Sequence, residues 1–275
     1  MNAPHRRLAM NALHRQWALA ALFTLAAATP AQAGRNCEAR QPDAWAVQRG
    51  MELAEATARA LDGSGAQVVL LARAGQDLSK YRLQWSHMGF AYRDSMQQPA
   101  VWRVLHKLNQ CGSDRGDLYR QGLGEFFTDD PYRYEAAYVV PSPELQWRLL
   151  GMLPNNRRVN VLHTPAYSMV AYPWAQVYQQ SNQWAIETLA LAMEPTSSTR
   201  ERAQAWLRFK GYEPSVLRIS PLVRLGARMT SANIAFDDHP NEKRYSDRIE
   251  TVTVDSVFDW LERAGLAGSV QRVAP

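Results

Sequence analysis

Residues 86–94 read SHMGFAYRD and residues 101–109 read VWRVLHKLN. Both runs alternate as a β-strand does, with successive side chains pointing to opposite faces. In the first, Met88, Phe90 and Tyr92 share one face, and His87, Gly89 and Ala91 share the other. In the second, Trp102, Val104, His106 and Leu108 lie together. The intervening SMQQPA, residues 95–100, has turn composition, so residues 83–94 and 101–109 are predicted to form an antiparallel hairpin. Its return brings His106 alongside the His87 end. The small side chains of Gly89 and Ala91 leave room for a helix to approach the histidine face.

The flanking segments set the fold class. Residues 45–61 carry Val47, Met51, Ala54, Ala58 and Leu61 at helical spacing and end at DGSG, residues 62–65. AQVVLLARA, residues 66–74, reads as a buried strand, and residues 134–140 as another that Pro141 ends. Helices are predicted over residues 144–153, 183–193, 200–209 and 253–265, the last opened by the capping cluster Thr253, Asp255 and Ser256. Residues 159–174 read as irregular, and two short strands are expected near 216–219 and 233–236. Strands and helices cluster rather than alternate, which favours an α+β fold with an antiparallel sheet.

The chain has 275 residues, 46% hydrophobic and 21% charged, enough for a packed core and incompatible with global disorder. No apolar run reaches the roughly 18 residues of a membrane span. The longest, residues 17–28, follows Arg6, Arg7 and Arg15 and precedes Ala31-Gln32-Ala33, the layout of a secretory signal peptide over residues 1–33. Cys37 stands too far from the cleavage point for a lipoprotein. Cleavage leaves residues 34–275 as a single domain, and the loss of three arginines lowers the net charge from +5 to +2. A nucleic-acid footprint is therefore not supported. The expected location is periplasmic or secreted, and there Cys37 and Cys111 form the one possible intramolecular disulfide. Metal and cofactor motifs such as CxxC and HExxH are lacking.

Ser181 lies on the stripe Ser181, Ala185, Thr188, Leu189 and Ala192, at the start of a predicted helix that could cover the histidine face. It reads either as a helix cap or as a nucleophile placed where free N–H groups stabilise developing negative charge. Tyr172, Trp174 and Tyr178, with Tyr167, are candidates for one wall of a groove receiving a cell-envelope peptide or glycan. Asp237, Asp238 and His239 read as a turn at a strand end; Glu135 and His163 have similar settings without a spacing argument.

The order SHxGxxY at 86–92, a polar residue on the next strand and QSNQW at 180–184 resembles the circularly permuted branch of the NlpC-type papain-like superfamily. VLHKLNQCG (104–112), GLGEFF (122–127) and AYPWAQVYQQSNQW (171–184) are similar to an uncharacterised family of secreted bacterial proteins assigned to that superfamily. The likeness runs over roughly residues 37–258. It implies a papain-like fold in which His87 is the general base, His106 orients it, and Ser181 stands where active members carry a Cys nucleophile. The implied chemistry is hydrolysis or transfer at amide or ester bonds of a cell-envelope peptide or lipid, with no metal or cofactor. A Ser hydroxyl must lose its proton as it attacks, unlike a thiolate, so the replacement opens the alternative of an inactive papain-like binding protein.

Overall fold

The computed structural model describes residues 43–96, 98–129 and 131–275. The predicted signal segment and Cys37, and with it the Cys37–Cys111 pairing, lie outside the described residues. The chain is mixed α+β. Helix α1 (Ala44–Gly63) leads into strand β1 (Val68–Ala74), followed by the hairpin β2 (His87–Asp94) and β3 (Val101–Asn109). Then come β4 (Gly116–Gly122), α2 (Leu123–Phe127), β5 (Arg133–Val139), α3 (Pro143–Leu150) and α4 (Asn156–Val159). After a long irregular stretch follow α5 (Ser181–Met193), α6 (Arg200–Phe209), β6 (Ser215–Arg218), α7 (Pro221–Thr230), α8 (Asn241–Arg244), β7 (Arg248–Thr251), α9 (Val254–Arg263) and β8 (Gln271–Val273).

Six strands form one antiparallel sheet in the order β4-β3-β2-β1-β5-β8, and β6 and β7 form a separate pair. The predicted hairpin is present, with Phe90 opposite Leu105 and Asp94 opposite Val101. Both faces of the sheet are covered. On one face Met88, Phe90, Tyr92 and Leu105 pack with Trp184, Ala185 and Leu189 of α5 and with α3, α6 and α9. On the other, Ala91, Trp102 and Val104 pack with Leu53, Ala54 and Leu61 of α1 and Phe126 and Phe127 of α2. Helix α5 is buried on all sides over its first ten residues, the polar Ser181, Asn182, Gln183, Glu187 and Thr188 included.

Several expectations need correction. The α1 stripe is Gly50, Leu53, Ala54, Thr57 and Leu61, with Val47 and Met51 exposed. Gly50 causes the rotation: a Cβ there would lie 2.8 Å from Thr128 Cγ2 and 2.9 Å from the Phe127 carbonyl, so the glycine admits α2 against this side. Residues 233–236 form no strand, and β6 pairs with β7 instead. Strands β4, β7 and β8 and helices α2, α4, α7 and α8 went unpredicted. The Thr253 cap is confirmed: its side chain accepts from the Ser256 N–H while the Ser256 side chain reaches back to Thr253 N–H. Among the described residues no helix is long and apolar enough to cross a membrane.

Candidate functional site

The two histidines meet. His87 Nε2 and His106 Nδ1 are 2.8 Å apart, one donating to the other, with ring centroids 5.1 Å apart. Gly89 makes this possible, since a Cβ there would sit 2.8 Å from His106 Cβ and 2.9 Å from the Leu105 carbonyl. The small residues of this face thus serve cross-strand approach, and what covers the face is α2. Phe126 stands 5.2 Å from the His106 ring and 6.0 Å from His87. Arg73, opposite His87 in the β1–β2 register, has its guanidinium 4.9 Å from the Phe126 ring centroid, donates to the Phe126 carbonyl and pairs with Asp129 at 2.6 Å.

This setting keeps both imidazoles neutral. Burial holds His87 well below its ordinary range, and His106 and the Arg73 guanidinium add to the effect. Burial, again with Arg73, pushes His106 down to about 3. The Gln121 carboxamide stands near His106, and Gln121 Oε1 and His106 Nε2 are both buried without a hydrogen-bond partner among the described residues. In the His87–His106 hydrogen bond one neutral ring donates and the other accepts.

A stability signature follows. Below the ordinary value of 6.5 the unfolded chain takes up protons that folded His106 refuses down to about 3. The stability is therefore present above the unfolded value and is lost on acidification, at about 1.4 kcal/mol per pH unit for each such group. Urea unfolding at about pH 7 and about pH 5 should show wild type losing about 2 kcal/mol more than His106→Gln over that interval.

Ser181 is placed apart from this pair. Gln180, whose side chain accepts from the Asn182 N–H, is the helix cap in place of Ser181, which is the first helical residue. It is 4% exposed, and its Oγ lies 3.3 Å from the Tyr167 hydroxyl. No hydrogen bond joins it to either histidine among the described residues. Helix α5 packs on the Met88–Phe90 face, opposite the face it was expected to cover. It does reach the edge of the sheet beside His87, where Asn182 Oδ1 accepts from the Met88 N–H at 3.2 Å.

Behind Tyr167 lies a polar cluster that sequence reasoning missed. Lys107 is fully buried, its Nζ 5.7 Å from the Tyr167 ring centroid, and it donates to the Thr164 and Gln179 carbonyls and to Gln179 Oε1 at 2.6, 2.7 and 3.0 Å. Burial lowers it to about 7, yet three acceptors occupy its three donors, which makes it a clamp on the 164–179 segment. The sequence gives little signal for it: Lys107 shares its strand face with buried Leu105 but also with exposed Val101 and the polar Arg103 and Asn109.

Of the aromatic candidates, Tyr172 and Tyr178 both meet the 237–239 turn. The Tyr172 N–H donates to Asp238 and its ring stands 5.1 Å from His239, while the Tyr178 hydroxyl donates to Asp237. Trp174 packs instead under the Arg208 guanidinium, 4.4 Å away. Asp237, Asp238 and His239 form the expected turn, with His239 held by Asp238 and the Glu250 carbonyl. Glu135 pairs with Arg133 at 3.4 Å, and His163 lies 3.2 Å from the Gly116 carbonyl, so neither joins the histidine pair. A cavity of about 500 Å³ lies elsewhere, lined by Arg82, Trp85, Asp255, Phe258, Arg263 and Arg272 among others.

Residues 60–261 match the model of a family described as "Uncharacterized protein conserved in bacteria (DUF2145)". No curated protein and no solved structure matches the chain.

Proposed function

From the premise that the chain belongs to this bacterial family, we propose that it is an exported, papain-like binding protein of the cell envelope. The permuted NlpC-type frame is kept, and the nucleophile and base are not assembled. One observation carries this reading: Ser181 Oγ is buried against the Tyr167 hydroxyl, on the α5 side, while His87 and His106 bond to one another on the opposite face. A hydroxyl attacks only as its proton is taken, so a serine without a base in contact is inert. The ligand is a peptide, glycan or lipid of the envelope, met outside the cytosol.

The enzymatic reading, with Ser181 attacking amide or ester bonds and His87 as base, is favoured by a different observation. The neutral His87 imidazole and the Asn182–Met88 hydrogen bond set a candidate base next to the first turn of α5. A fluorophosphonate probe separates the two. Peptide mapping after treatment of the full chain is expected to find no adduct on Ser181. An adduct that forms on wild type and vanishes in His87→Ala would replace the binding reading with the enzymatic one.

A further inference from the structure

We propose that the cavity beside α9 binds a short peptide with both termini free, its ammonium at the acidic side chains of α9 and its carboxylate at the arginines. This inference rests neither on the histidine pair nor on the papain-like reading.

Four segments distant in sequence build the walls: 82–85 ahead of β2, 213–215 at the start of β6, α9, and 270–272 at the start of β8. Hydrogen bonds within the chain fix them in place. Asp255 accepts from the Gln84 and Trp85 N–H groups at 3.0 and 3.3 Å, and Ser256 bonds to the Tyr212 hydroxyl at 3.0 Å. Arg272 donates to Gln84 Oε1, its guanidinium 5.7 Å from the Trp85 ring centroid. Buried Trp85 and Phe258 supply the apolar part of the lining. At about 500 Å³ the space is that of a small-molecule site.

The lining charges select the ligand. Arg82, Arg263 and Arg272 stand against Glu213, Asp255 and Asp259. Of these, Arg82, Arg263, Glu213 and Asp259 have no ion pair and no side-chain hydrogen bond among the described residues. A ligand of one sign would pair with one set and desolvate the other without a partner. A ligand carrying both signs pairs with both sets. Spacing along α9 sets its length: Asp255, Asp259 and Arg263 recur at every fourth residue along one side of the helix, over a rise of about 12 Å. The two acids come first, one turn apart, where like charges repel. Burial, with Asp259 adding to it, raises the Asp255 carboxyl above its ordinary range, and an ammonium beside the two relieves the repulsion. The amine and carboxylate of a single amino acid share one carbon and cannot reach both ends. Three extended residues span about 10 Å and can.

Calorimetric titration of the full chain with trialanine, N-acetyl-trialanine, trialanine amide and free alanine tests the proposal. Trialanine is expected to bind, and the two blocked peptides and alanine to bind about tenfold or more weakly, the loss that follows removal of one charge-assisted contact. Arg263→Gln should weaken trialanine about tenfold and leave trialanine amide unchanged. Asp259→Asn should weaken it about tenfold and leave N-acetyl-trialanine unchanged. Both side chains are exposed and unpaired among the described residues, so each variant should keep the wild-type unfolding midpoint. The proposal is overturned if trialanine does not bind, or if alanine or either blocked peptide binds as tightly as trialanine. It also falls if either variant binds trialanine like wild type.

Discussion

Glu187→Ala is expected to cost the fold about 3–5 kcal/mol, the range for stripping one partner from a buried ion pair. Glu187 is fully buried in α5 and accepts from Arg200 Nε at 2.8 Å, Arg200 Nη2 at 3.2 Å, Gln204 Nε2 at 2.7 Å and Gln179 Nε2 at 2.6 Å. Without the carboxylate, Arg200 keeps only neutral acceptors, among them the carbonyls of Ala175, Gln176 and Tyr178. Those bonds hold the irregular stretch between α4 and α5, whose buried backbone groups need partners that a helix or sheet would otherwise supply. Urea unfolding should show the loss. In Glu187→Ala with Arg200→Ala the cost should fall well short of the sum of the two single changes, because the unpaired charge has gone.

Trp184→Ala should be comparably severe, at about 3–5 kcal/mol. The indole is fully buried in α5 where it meets the sheet, edge-on to Phe90 with centroids 5.8 Å apart, and its Nε1–H donates to the Val159 carbonyl at 3.3 Å. Truncation opens a cavity between sheet and helix and leaves that carbonyl unpaired. Trp184→Phe retains most of the volume and loses only the donor, so a smaller cost of about 1–2 kcal/mol is expected. Thermal unfolding of the two variants side by side separates packing from hydrogen bonding.

The hairpin was legible because a period of two fixes both the strands and the faces of their side chains, and that was enough to bring His87 and His106 together. Which helix covers which face was not legible. Small residues at Gly89 and Ala91 suggested a close helix, but the same smallness lets His106 approach across the strands. In α1 the visible stripe ran through Val47 and Met51 because a glycine adds nothing to an apolar pattern, although Gly50 is where α2 makes its closest approach. Buried polar residues were missed for a related reason. No sequence pattern marks Lys107, Glu187 and Arg200 as buried, and the long irregular segment they hold explains their burial. Helix α7 turns Leu222, Val223 and Leu225 outward, against the pattern that reads an apolar residue as core.

The separation of Ser181 from His87 is tested most directly by alkylation of the thiol introduced by Ser181→Cys, followed by mass mapping at that position with iodoacetamide as the reagent. An imidazole in contact lowers a thiol's pKa and speeds its reaction near neutral pH. With Ser181 held against Tyr167 and away from the histidines, the thiol is expected to react slowly and at the same rate with and without His87→Ala. A fast reaction that drops tenfold or more, to about the rate of an unassisted thiol, when His87 is removed would contradict the account and establish the two residues as a catalytic pair.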